Sequence, residues 1–335
     1  VALGGCALYP WTMTTAVSLD DDLLAVRAAE LYYQEHKTQD EIGALLNITR
    51  WKVGRLIASA RESGIIRIEI VHPRARRLGM EHDVAALYRL EAAIVVPGAT
   101  TVEATADRVA GAAADYLSAM RPRTHALGVS WGKTLHAVAL ALPQGWSHNT
   151  TVTQVNGGVS HSAAPGLAAA TATMIADKAS GTVTLMLTPA ILEKEETKRA
   201  IESDRTVRGV LSQAENADTY LFGAGPATDI SIHVQSGYID HTDVARLQER
   251  GAVGDVLGRY ITKDGTIADV DLDARTLGLS LDHLRNASRS IAVVHGVDKH
   301  PVALAIATHR LATVMIMDEA TAQYLLTHHQ KEVSP

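Results

Sequence analysis

Apolar positions along this chain change period partway through. From residue 23, LLAVRAAELYYQE repeats at helical spacing, with Leu24, Ala28, Leu31 and Tyr32 on one side. From residue 38, TQDEIGALLNITRWKVGRL and the residues after it carry two further stripes: Ile42, Leu45 and Leu46 in a short segment, then Val53, Leu56, Ile57 and Ala60 in a longer one, RWKVGRLIASARESG (50–64). Thr38 with Glu41 three residues on has the capping-box form. Asn47 suits a left-handed turn, Thr49 can cap the second segment, and Gly64 ends it. IIRIEIV (65–71) then alternates as a strand or wing would.

Beyond residue 90 the pattern is different. Short β-rich runs occupy 92–98, 125–130, 150–158, 181–189, 217–225, 289–296 and 312–318, mostly ending in Gly, Pro or Asp. Helical segments such as 102–120, 132–142 and 194–204 lie between them. Strands apolar on both faces, alternating with helices, predict a parallel sheet covered on both sides. The fold class is α/β: an N-terminal winged helix-turn-helix domain and a C-terminal Rossmann-like domain. The expected boundaries are a disordered leader at 1–20 (with Met13 as an alternative start), a helix-turn-helix domain at 21–78, a linking helix at 79–91 and an α/β domain at 92–330.

Charge sharpens the division. The chain of 335 residues has a net charge of −6, which excludes whole-surface binding of nucleic acid. Between residues 31 and 80, however, Lys37, Arg50, Lys52, Arg55, Arg61, Arg67, Arg74, Arg76 and Arg77 outnumber the acids. A short helix, a turn and a longer helix showing basic residues near its start form a helix-turn-helix signature. Thr38, Gln39, Thr49, Arg50, Trp51, Lys52 and Arg55 are the candidate contacts to double-stranded DNA. A solvated helix that binds nothing would carry similar charge, but the ordered succession of cap, turn, inward stripe and basic cluster favours the DNA-binding reading. Cys6 is the only cysteine, so no intramolecular disulfide or cysteine-rich zinc site is available. No apolar run is long enough to span a bilayer. A cytoplasmic location is expected, with no membrane partner.

Residues 38–70 resemble the helix-turn-helix of the SorC family of bacterial sugar-responsive transcriptional regulators. The resemblance continues through GVSWGKTL (128–135), VNGGVS (155–160), GAVGDVLGRYITKDG (251–265), RTLGLSLDHLR (275–285), GVDKHPVALAI (296–306) and MDEATAQYLL (317–326), in order. It implies a C-terminal effector domain related in fold to sugar-phosphate isomerases and glucosamine-phosphate deaminases. It also implies a phosphorylated sugar or polyol as effector, and a homodimer or homotetramer on a pseudo-palindromic operator. Repression of a carbohydrate operon is the commoner outcome in the family.

The residues support such a site independently. GVSWGKTL follows a strand and opens a helix, so Ser130, Trp131, Gly132, Lys133 and Thr134 offer free N–H groups and hydroxyls to an anion. Leu127 stands where a Walker A loop needs its first glycine, so nucleotide hydrolysis is not expected. Asn156, Gly157 and Gly158 end another strand, where paired glycines allow close approach to a ligand. Asp255 can accept hydrogen bonds from sugar hydroxyls and Lys299 can neutralise a phosphate; the family resemblance implies the same two roles. Asn156 stands where some deoxyribose-phosphate-responsive relatives carry an imine-forming lysine, so reversible binding is expected. His295 and His300 flanking the GVDK stretch are a departure from the family pattern.

No cofactor is expected, and the fifteen histidines show no metal-ligand spacing. FGAGPAT (222–228) lacks the third glycine of a dinucleotide fingerprint and reads as a tight βα turn. The alternative function is a sugar-phosphate isomerase or deaminase-like enzyme, with Asp218, Asp229 or Asp255 as the base. That reading leaves the N-terminal helices unexplained.

Overall fold

The computed structural model describes residues 19–66, 76–158 and 166–332. The expected leader, apart from residues 19 and 20, and the strand-like part of the wing at 67–71 lie outside these. The chain divides between Val71 and His72 into two compact units.

The first unit contains α1 (Leu19–Tyr33), α2 (Gln39–Leu46) and α3 (Arg50–Glu62). Local chemistry sets each boundary. Thr38 and Glu41 form the capping box, with the Glu41 N–H donating to Thr38 Oγ1 at 3.3 Å and the Thr38 N–H donating to Glu41 Oε2 at 2.8 Å. Asn47 ends α2 in the left-handed conformation, and Thr49 accepts from the Lys52 N–H at the start of α3. Ala28, Leu31, Ile42, Val53 and Ile57 make one buried cluster, and Ala25, Leu56 and Ala60 a smaller one. Leu45 departs from its expected inward position and is exposed. With only eight residues, α2 buries a narrow face of Ile42 and Gly43, and Leu46 packs at its edge.

The second unit is built on β1 (Ala92–Val96), β2 (Ala126–Val129), β3 (Thr151–Gln154), β4 (Thr182–Thr184), β5 (Thr219–Gly225), β6 (Ala252–Val256), β7 (Arg259–Thr262), β8 (Ser290–Val294) and β9 (Val314–Asp318). Seven of these pair in parallel in the order β1-β9-β8-β5-β2-β3-β4. Side chains alternate between the faces, which is why the strands read as continuously apolar. In β8, Ile291 and Val293 enter a core shared with α5 (Val102–Ala119) and α6 (Lys133–Ala141), whereas Ala292 and Val294 enter the core on the other side. The helix expected at 79–91 is α4 (Leu78–Tyr88), whose Val84 and Tyr88 are buried in that second core.

β6 and β7 were not foreseen as strands. They form an antiparallel ribbon hung on the end of β5, pairing Gly225 with Asp255 and Ala224 with Val256. Between β2 and β5 the chain reverses its direction of growth across the sheet: β3 and β4 extend one way, β8 and β9 the other. Such a reversal opens a crevice at the carboxyl ends of the strands. Among the described residues no helix is long and apolar enough to cross a membrane.

Candidate functional site

A cavity of about 250 Å³ lies at that reversal, lined from several segments distant in sequence. Ser130, Trp131, Gly132, Lys133 and Thr134 come from the β2–α6 turn, and Asn156 from the end of β3. Gly223, Ala224, Gly225 and Pro226 come from β5 and the turn after it, Asp255, Leu257 and Gly258 from the ribbon, and Asp298 and Lys299 from the turn after β8. Its size suits a small molecule.

One part of the lining suits an anion. α6 begins at Gly132 with no side-chain cap, and its first internal bond runs from the His136 N–H to the Gly132 carbonyl. The preceding N–H groups have no partner within the helix and carry the positive end of its dipole. Lys299 Nζ donates to the His295 carbonyl at 3.4 Å. Thr134 Oγ1 lies 3.3 Å from His295 Nε2. Burial, reinforced by the Lys299 cation, holds the His295 imidazole below its ordinary value, so it is neutral and adds no charge here.

Another part is a buried carboxylate. Asp255 accepts from the Gly258 N–H at 3.0 Å through Oδ2, and its Oδ1 lies 3.9 Å from His233 Nδ1. It reaches this place because Gly225 lacks a side chain: a Cβ there would stand 2.1 Å from Asp255 Oδ1. His233, also lining the cavity, sits 3.2 Å from the Tyr260 hydroxyl, whose pKa burial pushes up so that it keeps its proton.

Eight of the ten candidate effector residues therefore share one cavity, and Gly157 and Gly158 do not line it. Both glycines lie against the backbone at Pro189. A Cβ on Gly157 would come within 2.3 Å of the Pro189 carbonyl oxygen, and its own carbonyl accepts from Trp131 Nε1 at 2.7 Å. Gly158 bridges to Pro189 and accepts from the Tyr238 hydroxyl at 2.8 Å. Ser231 and His233 were not among the expected site residues, and FGAGPAT (222–228), expected only as a tight turn, supplies Gly223–Pro226 to the lining. A weak signal for the last was the pair of glycines closing a strand.

The carboxylates considered for catalysis are scattered. Asp218 is exposed and binds the backbone N–H groups of His125 and Ala126; the partial desolvation of its carboxyl would raise its pKa, but these bonds and those of Thr124 and Thr219 bring it below the ordinary value. Asp229 is exposed and pairs with His241. Of the three, only Asp255 lines the cavity. Among the described residues no cluster could hold a metal ion.

In the first unit the basic candidates stand on one helix. Arg50, Trp51 and Arg55 are exposed at the start of α3, Trp51 to 85%, while Val53, Leu56 and Ile57 face inward. Arg50 makes a solvent-exposed pair with Asp40 at 3.3 Å, weak enough to be exchanged for another anion. Gln39 is half-buried beside Gly54, whose Cβ position lies 3.5 Å from Gln39 Oε1. Thr38 and Thr49 use their hydroxyls as helix caps.

The profile of the family described as "Putative sugar-binding domain" matches residues 73–327. The "Deoxyribonucleoside regulator" of Bacillus subtilis is 29% identical over 304 residues, covering 90% of this chain and 97% of that protein. The "Sorbitol operon regulator" of Klebsiella pneumoniae is 26% identical over 313 residues, covering 92% and 98%. The chain belongs to the SorC family of sugar-responsive transcriptional regulators. The crystal structure of the full-length sorbitol operon regulator SorC of Klebsiella pneumoniae shares the fold, with a TM-score of 0.69 at 24% identity over 92% of this chain and all of that one. The crystal structure of a domain of a possible sugar-binding transcriptional regulator from Arthrobacter aurescens is 28% identical, with a TM-score of 0.68 over 77% of this chain and 100% of that one. Family membership makes this SorC-family chain a transcriptional regulator and not a sugar-phosphate enzyme.

Proposed function

We propose that the protein represses a carbohydrate or polyol operon and releases it when a phosphorylated sugar or polyol binds reversibly in the cavity. The observation that carries this reading is the pairing, in one small hollow, of an uncapped helix start and a lysine with a buried carboxylate. The first two neutralise a phosphate; the carboxylate accepts from hydroxyls. Relatives named for deoxyribonucleoside, sorbitol and erythritol systems point to the same ligand class.

In this reading α2 and α3 are a helix-turn-helix, with α3 in the major groove. Arg50 and Arg55 meet base edges or phosphates, Lys52 a phosphate, and Trp51 a sugar or thymine methyl, while Thr38, Gln39 and Thr49 lie at the backbone. Two copies in a cytoplasmic homodimer or homotetramer occupy successive half-sites of a pseudo-palindromic operator. Effector binding changes the subunit arrangement, for which a coupling of about 1–3 kcal/mol is enough.

Fluorescence-anisotropy binding to DNA from upstream of the protein's own gene, titrated with phosphorylated sugars and polyols, tests this. Specific binding weakened by one compound is expected. Binding that no compound alters would sink the effector reading, and absence of specific binding at low salt would sink the DNA reading.

A further inference from the structure

His233 is 1% exposed, and its ring is fixed from three directions. Its Nδ1 faces the Tyr260 hydroxyl at 3.2 Å and Asp255 Oδ1 at 3.9 Å. The Tyr260 hydroxyl is held in turn by Ser231 Oγ at 3.4 Å, and Trp131 meets the imidazole edge-on with ring centres 5.9 Å apart. The other nitrogen, Nε2, is buried and has no hydrogen-bond partner among the described residues.

A second atom of the same lining is in the same condition. Asn156 is 3% exposed, and its Oδ1 also lacks a partner among the described residues. Its backbone is pinned by a bridge to Gly278 and by Gln154 Nε2, which donates to the Asn156 carbonyl at 2.8 Å. Trp131 ties the two together, since its indole N–H is bound to the carbonyl of the next residue, Gly157. Buried polar atoms are nearly always satisfied, so two unsatisfied ones held rigidly around one cavity call for partners supplied from outside the chain.

We propose that His233 Nε2 and Asn156 Oδ1, beside the Asp255 carboxylate, read adjacent hydroxyls on the carbon chain of the effector. His233 is then the residue that selects a hydroxylated chain over its deoxy counterpart. The inference rests on the cavity being the effector site. An amide oxygen and a carboxylate accept only from groups that carry hydrogen, and hydroxyls qualify where carbonyls, ethers and methylenes do not. An imidazole can donate or accept at Nε2 according to its tautomer, and a hydroxyl answers either. The ligand class is a phosphorylated polyol or sugar with free vicinal hydroxyls, its phosphate taken by the start of α6 and Lys299. A site built to bond a hydroxyl rejects the analogue lacking it, because its own polar groups are left unpaired.

Isothermal titration calorimetry on the full chain tests this with inorganic phosphate, ribitol 5-phosphate, glucitol 6-phosphate and their monodeoxy analogues. For a phosphorylated polyol that binds, one monodeoxy analogue should bind about tenfold more weakly, the worth of one net hydrogen bond. His233→Phe should lower the ratio of parent to inorganic-phosphate affinity by a similar factor, and His233→Gln should recover part of it. Equal binding of the parent and all its monodeoxy analogues by the unaltered protein would overturn the proposal without recourse to any variant. An unchanged ratio in a folded His233→Phe protein would overturn it as well, leaving the effector site standing. If the unaltered protein binds neither phosphate nor any phosphorylated polyol, the effector site falls and this inference falls with it.

Discussion

In the N-terminal unit the distinctive chemistry stands on the outside of one helix, while in the second unit it is folded into a hollow. α3 buries Val53, Leu56, Ile57 and Ala60 and leaves Arg50, Trp51 and Arg55 in solvent, so packing and the proposed DNA contacts occupy opposite sides of the same thirteen residues. In the α/β unit the residues around the cavity are themselves part of the packing. Trp131 and Tyr260 belong to a buried cluster, and Asp255 lies on the backbone of β5. A surface built on one helix can change its side chains with little cost to folding. A cavity wall shared by many segments cannot.

That contrast can be broken most sharply by core truncation. Phe222 is fully buried in the sheet of the second unit, and Phe222→Ala should cost about 3–5 kcal/mol in chemical denaturation. A loss below about 1 kcal/mol would mean that the core beneath the cavity relaxes as freely as a surface does. Next, Arg50→Ala should weaken operator binding by about 1–3 kcal/mol and relax base preference, with the melting temperature unmoved. A drop in melting temperature as large as that of Phe222→Ala would show that α3 is not divided into two independent faces. Lys299→Ala should leave operator affinity intact and weaken effector binding by about 1.5–3 kcal/mol, the range for a hydrogen bond to a charged group. A normal effector response would remove Lys299 from the site.

Smaller effects test the local devices of the first unit. Thr38→Ala removes the cap of α2 and should cost about 1 kcal/mol, read from thermal melting. The smallest is a pH effect. Hydrogen bonds from the Thr38 N–H and hydroxyl hold the Glu41 carboxyl below its ordinary 4.5. A carboxyl with a depressed folded-state pKa stabilises fully above the unfolded value and loses that contribution as pH falls through the folded one. Helix content followed by circular dichroism should therefore fall on acidification below pH 4.5. Glu41→Gln, which keeps an acceptor but cannot titrate, should flatten that part of the curve.

The N-terminal unit was legible because its signals close over short spans. Thr38 meets Glu41, Asn47 turns the chain and Thr49 meets Lys52, each within about one helical turn. The parallel strands were legible from composition, since both faces had to be apolar. Lys299 and the turn at 130–134 were legible as motifs whose loops fall at strand ends, whereas Asp255, expected in such a loop, lies within β6. The ribbon β6–β7 was not, because Gly254, Asp255, Gly258 and Arg259 interrupt any alternation. The close packing of Gly157 was not legible, because a glycine permits close approach of either a ligand or a neighbouring backbone, and the nearness of Pro189 is seen only in the fold.

The sequence by itself determined the helix caps, the inward stripes, the parallel character of the sheet and the segregation of basic charge, since these depend on neighbours a few residues away or on average polarity. Tertiary structure alone decided that Asn156, His233, Asp255 and Lys299 line one cavity. That depends on β5 lying beside β2 and on the ribbon folding back over β5. Contacts between residues this far apart in the chain leave no period or spacing behind, because the cost of bringing them together is met by the whole sheet and not by the residues that meet.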